Sequence, residues 1–273
     1  MDTLKNLIIP KKIILNNGKE IQPPIPKLPF ILVGLIVIVI ASAELTDFSF
    51  EKIIKNGHQF TAILSAMIPP NWGYAKEVIK PLKETIQMSL LGSIVGSILA
   101  VPFAILASVN INHNKPLLLI IRFLLSLVRT LPTLIIALIA TFIFDLGPFA
   151  GTIAIAIFTL GIVAKMIYEK IETVDMGPFE ALEALGATKL KAFLSAIIPQ
   201  ILPSYLSNCL YCFEVNVRYA AILGYVGAGG IGLILNEKIG WREYDKVGMM
   251  LFMLFVTVVI IEYLSKYIRG KLR

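Results

Sequence analysis

Four charged side chains stand inside otherwise apolar runs of this 273-residue chain: Arg122, Arg129, Glu214 and Arg218. An arginine at the centre of a membrane-spanning helix costs about 2.5–3.5 kcal/mol, so such residues face a bundle interior or a wet cavity. Arg122 and Arg129 are two helical turns apart and share one face. Arg129 has no acid close by on its own run, which makes it the better candidate for meeting an anion or gating its path. Arg122 lies nearer the end of the run, where its stem can snorkel to the polar boundary. Glu214 and Arg218, within YCFEVNVRYA, have the spacing of a pair on one helix face, with Asn216 between them on another. That pair either neutralises itself or presents charge to a passing ion, and the spacing is compatible with both. The chemistry on offer is electrostatic, because no Ser/His, HExxH or paired-aspartate arrangement supports a covalent one.

Two motifs that elsewhere carry chemistry are read here as structure. Gly227, Gly229 and Gly232 of VGAGGIG have the G-x-G-x-x-G spacing of a dinucleotide loop, but that motif needs a strand before it and a βαβ context. Following an apolar helix, they read as a tight turn where helices meet. Cys209 and Cys212 form a C-x-x-C in the middle of an apolar run with no His or Cys cluster to complete a metal site, so they read as packing residues. No G-x-x-x-x-G-K-[ST] occurs, so any work from ATP has to come from a partner that binds ATP and Mg; this chain is expected to carry no cofactor, no metal and no catalytic residue of its own.

The elements that must position these charges are membrane helices. The chain is 57% hydrophobic and only 16% charged, against about a quarter charged in soluble domains. Six runs have membrane-spanning length, at about 28–45, 85–108, 117–144, 148–168, 201–223 and 247–267. The reading is an all-α, multi-pass integral membrane protein. Lys and Arg favour the segments that lie inside when the N-terminus is inside, which places both termini in the cytoplasm. The net charge of +7 then reads as topology and attraction to anionic lipid, not nucleic-acid binding. Residues 30–43 resemble a signal peptide ending in Ala-Ser-Ala, but the long basic region with QPPIPKLP favours a retained first helix.

Residues 1–80 are read as a basic tail, a first span and an external amphipathic segment in which Phe50, Ile53, Ile54, Phe60, Ile63 and Leu64 recur at helical spacing. Residues 81–270 are read as a five-helix core. Gly92, Gly96 and Ala100 recur every fourth residue in its first helix, a face for close helix packing. Pro102 and Pro132 are expected to kink their spans. Residues 169–195 break the apolar pattern with EALEALGATKLKAFLSAIIP, expected as two short helices over about 176–185 and 188–196 split at Gly186. Ala181, Ala184 and Ala187 keep that segment slim, while Glu180, Glu183, Lys189 and Lys191 keep it wet, as suits a groove on a soluble partner.

EALEALG followed by AIIP resembles the EAA motif of ABC-importer membrane subunits, matched at Glu180, Ala181, Gly186 and Pro199, with Leu182 in place of the second alanine. IPPNW, RTLPTLIIAL, LGPFAG, FEVNVR and LGYVGAGGIG together resemble the permeases of phosphonate ABC importers, from about residue 60 onward. The resemblance implies a type I importer fold with a methionine-permease-like core in a bacterial cell membrane. It implies two permease copies around a central path, expected to be a homodimer, a cytoplasmic ATPase dimer and an extracytoplasmic phosphonate-binding protein. On it, the coupling helices span about 176–191, with Glu180, Ala181, Glu183, Ala184 and Gly186 at the ATPase, and Arg129, Glu214, Asn216 and Arg218 belong to the translocation path. The cargo is expected to be phosphonate or a related phosphorus oxyanion; an amino acid or quaternary amine, or a secondary carrier, are the alternatives.

Overall fold

In the computed structural model, residues 13–14, 20–21 and 27–272 are described; most of the expected basic tail lies outside them. The chain divides into compact units at Met1–Ile63 and Leu64–Arg273. In the first unit Ile13–Ile14 pairs antiparallel with Glu20–Ile21, α1 spans Leu28–Leu45, and α2 (Phe50–Ala66) meets α1 at 57°. α1 exposes apolar side chains all round, the pattern of a helix whose solvent is lipid. Lys52, Lys55 and His58 lie between the apolar positions of α2, as its spacing predicts.

The second unit is a helical bundle: α3 (Ala75–Ala107), α4 (Lys115–Thr130), α5 (Thr133–Phe144), α6 (Pro148–Glu172), α7 (Gly177–Ala184), α8 (Lys189–Ala192), α9 (Ile198–Leu223), α10 (Ile231–Gly240) and α11 (Tyr244–Lys271). Among the described residues, four continuous helical stretches are long and apolar enough to cross a membrane, namely Trp72–Ala107, Pro148–Glu172, Lys189–Val226 and Tyr244–Lys271. The expected third span is broken: α4 and α5 meet at 94°. Leu131 takes an extended backbone (φ −74°, ψ 127°), as a residue before proline does, and Pro132 restarts the chain as the N-cap of α5. Pro102, expected to act alike, instead lies inside an uninterrupted α3.

The packing of α3 on α6 follows from the small residues. A Cβ on Gly92 would fall 2.6 Å from Ile155 Cγ2, and one on Gly96 2.4 Å from the Ala156 carbonyl oxygen. The missing side chains are what let these backbones approach. Beside them Thr85, Ser89 and Ser93 are buried and hydrogen-bonded. The expected second short helix after Gly186 is not separate. α8 runs through a π turn at Phe193–Ile197 into α9, just ahead of Pro199, whose missing N–H already interrupts the ladder.

Candidate functional site

The segment 173–192 is tied down at its start and presented at its tip. Gln200 at the base of α9 accepts from the Asp175 amide at 3.2 Å and donates to the Asp175 carbonyl at 3.0 Å, while Asp175 Oδ1 accepts from Gly177 N at 2.9 Å. Pro178 in the first turn and the buried Phe179 then set α7 on the core. α7 ends in a two-bond glycine cap: Gly186 N donates to Glu183 O at 2.9 Å and Ala187 N to Leu182 O at 3.0 Å, with Gly186 at φ +89°. Thr188 Oγ1 caps α8 by accepting from Lys191 N. Between these caps Leu185 and Leu190 are 83% and 68% exposed, with Glu180, Ala181, Ala184 and Gly186 also exposed and Glu183 half-buried. The outcome is a short, rigid ridge with an apolar tip.

The two arginines of α4 have different surroundings. Arg122 donates to Glu172 at the end of α6 and, at 2.9 Å, to the carbonyl of Ala107 at the end of α3, and its guanidinium lies 4.7 Å from the Tyr168 ring centroid. Glu172 also accepts from Val109 N at 3.0 Å. Arg122, midway along α4, therefore clamps the ends of α3 and α6 next to the start of the 173–192 segment. Arg129 is exposed in the last turn of α4, beside the break, and makes no ion pair or hydrogen bond among the described residues. Its stem lies over Gly161 of α6, where a Cβ would come within 3.0 Å of Arg129 Cγ.

On α9 the spacing-predicted Glu214–Arg218 pair forms, and a third member joins it: Arg269 of α11 donates to the second Glu214 oxygen at 2.9 Å. Sequence spacing could not reveal Arg269, which sits at the end of the last span and reads as a basic anchor. Asn216, expected with them on the path, points the other way and is 1% exposed. Its side-chain amide nitrogen donates to Ser93 Oγ at 2.8 Å and Thr159 Oγ1 at 2.7 Å, and its main-chain carbonyl accepts from Ser89 Oγ, so it joins α3, α6 and α9 in this conformation. Cys212 packs in the apolar cluster at the 173–192 end of the bundle, and Cys209 is half-buried beside it.

The two glycine-bearing motifs at the other end meet in space. Gly147 N of LGPFAG donates to Gly227 O at 2.9 Å, and Ile231 N donates to Thr85 Oγ1 at 2.8 Å. A Cβ on Gly229 would fall 2.8 Å from Pro148 N, and one on Gly224 2.3 Å from the Gly232 backbone. Lys238 and Lys246 bracket Glu243 at 3.0 Å and 2.8 Å nearby, and Asn71 Nδ2 donates to Asp245 at 2.8 Å. The hydrogen bonds from Lys246 and then Lys238 hold the Glu243 carboxyl below its ordinary range, and the hydrogen bonds to Glu243 and Glu237 raise Lys238 above its own.

The profile of the family described as binding-protein-dependent transport system inner membrane component matches residues 92–273. The chain belongs to that family. A phosphate-import permease protein of Mycolicibacterium smegmatis is 36% identical over 77% of this chain, which spans only 40% of that relative's length. A phosphite transport system permease protein of Stutzerimonas stutzeri is 30% identical over 79% of each chain. The fold matches that of the MetNI methionine ABC transporter in an inward-facing form, with a TM-score of 0.66 and 22% identity over 74% of this chain and 99% of the other. The chain is thus a predominantly helical inner membrane component of a binding-protein-dependent transport system, with its glycine junction, broken span and α7–α8 ridge all inside the matched region.

Proposed function

We propose that this chain is the permease subunit of an ATP-driven importer for phosphite, phosphonate or phosphate, working as a homodimer with both termini in the cytoplasm. A separate ATPase dimer would bind ATP and Mg, and an extracytoplasmic binding protein would deliver the anion. The observation that carries the reading is the exposed, doubly capped ridge at 177–192 in a chain whose relatives are named phosphate and phosphite permeases.

In this reading Glu180, Ala181, Glu183, Ala184 and Gly186 fit a groove on the ATPase, with Leu185 and Leu190 as apolar contacts. Closure of the ATPases pushes the ridge as a rigid body. Phe179 passes that push to the core and the Gln200–Asp175 bonds pass it to α9. The Arg122–Glu172 clamp carries it to α4, whose other arginine, Arg129, stands unpaired at the 94° break. The path itself is tuned for anions by Arg129 and by the Glu214–Arg218 cluster, while Asn216 holds the helices that bear them.

The test is uptake into proteoliposomes holding the permease, its ATPase and its binding protein. ATP-dependent accumulation of a phosphorus oxyanion that needs all three supports the reading. Uptake without any ATPase, or uptake of methionine but of no phosphorus oxyanion, overturns it. Arg129→Gln is expected to slow anion passage without unfolding the protein.

A further inference from the structure

Glu214 is the hub of a cluster with unbalanced charge. Its carboxylate is 7% exposed and accepts from Arg218 on one oxygen and from Arg269 on the other. One carboxylate cannot neutralise two guanidiniums, and neither arginine has another acid among the described residues. A guanidinium carries five N–H donors in a planar fork, suited to bidentate recognition of phosphate-like oxygens. Arg218 commits a single nitrogen to Glu214 and is 51% exposed. Arg269 is anchored further, through Nε to the Ser265 carbonyl at 3.4 Å and with its guanidinium 6.0 Å from the Tyr211 ring centroid.

The cluster opens onto a polar face. At about 100° per residue, Ser204, Ser207, Asn208, Tyr211 and Arg218 fall on one side of α9, opposite Asn216. The half-buried side chains of Ser204, Ser207 and Asn208 make no hydrogen bond among the described residues. A cavity of about 450 Å³ is lined by Ser207, Lys266, Arg269 and Gly270. Unpaired polar groups at membrane depth belong against a wet or ligand-bearing space.

We propose that Arg218 and Arg269, forked around Glu214, form a seat for a tetrahedral oxyanion of phosphorus, with Lys266 and Ser207 at its rim. The seat rests on the transport reading for its cargo but not for its chemistry, which a free anion and a lipid headgroup phosphate share. Glu214 is the positioning residue, holding both forks while leaving net positive charge.

Binding of inorganic phosphate, phosphite and methylphosphonate is measured on the purified full chain in neutral phosphatidylcholine nanodiscs. Arg269→Gln is expected to weaken binding about tenfold, the scale of one lost charge-assisted bond. Arg269→Lys, which keeps the charge and loses the fork, falls between it and the wild type. Because Arg269→Gln leaves Glu214 with one partner, the Glu214→Gln/Arg269→Gln double variant removes the buried charge together with its partner and is expected to fold and still lose binding. A wild type that binds none of the three anions overturns the seat, as does wild-type binding in the double variant. Repeating the measurement with phosphatidylglycerol separates the sources: displacement of the anion from the wild type assigns the seat to headgroup phosphate, and undisturbed binding assigns it to free cargo. If the complete complex imports no phosphorus oxyanion while the chain still binds one through both arginines, the transport reading fails and the seat stands. If binding is undisturbed by phosphatidylglycerol yet import continues in Arg269→Gln with unchanged KM, the seat fails as a cargo site and the transport reading stands.

Discussion

The glycines of the 224–232 junction and the glycine at 186 stand in unlike surroundings. A Cβ on Gly232 would fall 2.0 Å from the Ala221 carbonyl oxygen, whereas one on Gly186 would meet nothing within 4 Å. Gly232 is required for space, because backbone presses on backbone. Gly186 is required for conformation alone, at φ +89° where an L side chain strains. The difference separates the two ends: the junction locks α3, α6, α9 and α10 together, while the turn at Gly186 holds its conformation with free space around it.

The comparison can be broken most decisively at the junction. Gly232→Val puts carbon against a carbonyl that cannot yield, and a loss of about 3 kcal/mol or more is expected from overpacking. It is read as lost monodisperse yield from membranes, and wild-type thermal stability in that variant would end the spatial argument. Next in size, Gly186→Val is expected to cost about 1–2 kcal/mol of backbone strain. The bundle stays folded, and ATP-driven uptake falls while ATP hydrolysis continues; equal loss of both would make Gly186 a folding residue like Gly232. Thr188→Ala removes one N-cap, worth about 1 kcal/mol. Its expected mark is faster amide exchange confined to residues 189–192, and a global change would show the ridge to be less independent.

The smallest effect lies in the half-buried charges around Glu243. Glu243 is held below its ordinary value by Lys246 and Lys238, so its pairing contributes stability that is present above the unfolded-state carboxyl pKa. That contribution is lost as pH falls through the lowered value in the folded protein. Lys238 is shifted upward, so its share is present below the unfolded lysine pKa and lost as pH rises through its raised one. Thermal stability scanned from pH 7 into the acid range should fall less steeply in Glu243→Gln than in the wild type, and identical curves would remove the cluster from the junction's support.

How far the sequence could be read depended on distance along the chain. The Gly186 turn, the Glu214–Arg218 pair and the α3 packing face are encoded within one or two helical turns, and periodicity finds such features. Pro132 as a break was legible from its restriction of Leu131, whereas Pro102 lies within a continuous α3. The partner of Arg122 and the second partner of Glu214 were not legible at all. Glu172 and Arg269 lie 50 and 55 residues away, at the ends of other helices.

The sequence by itself determined that this chain belongs in a membrane and where a polar ridge with a glycine cap interrupts its apolar runs, since hydropathy, capping and backbone restriction act over a few residues. Only the tertiary structure decided that Asn216 faces a helix junction while Glu214 gathers two arginines, that Arg122 is tied and Arg129 free, and that LGPFAG and VGAGGIG close on each other. Those outcomes depend on how each helix is rotated and slid against its neighbours. Rotation and register are set by the summed packing of many side chains, which no single stretch of sequence contains.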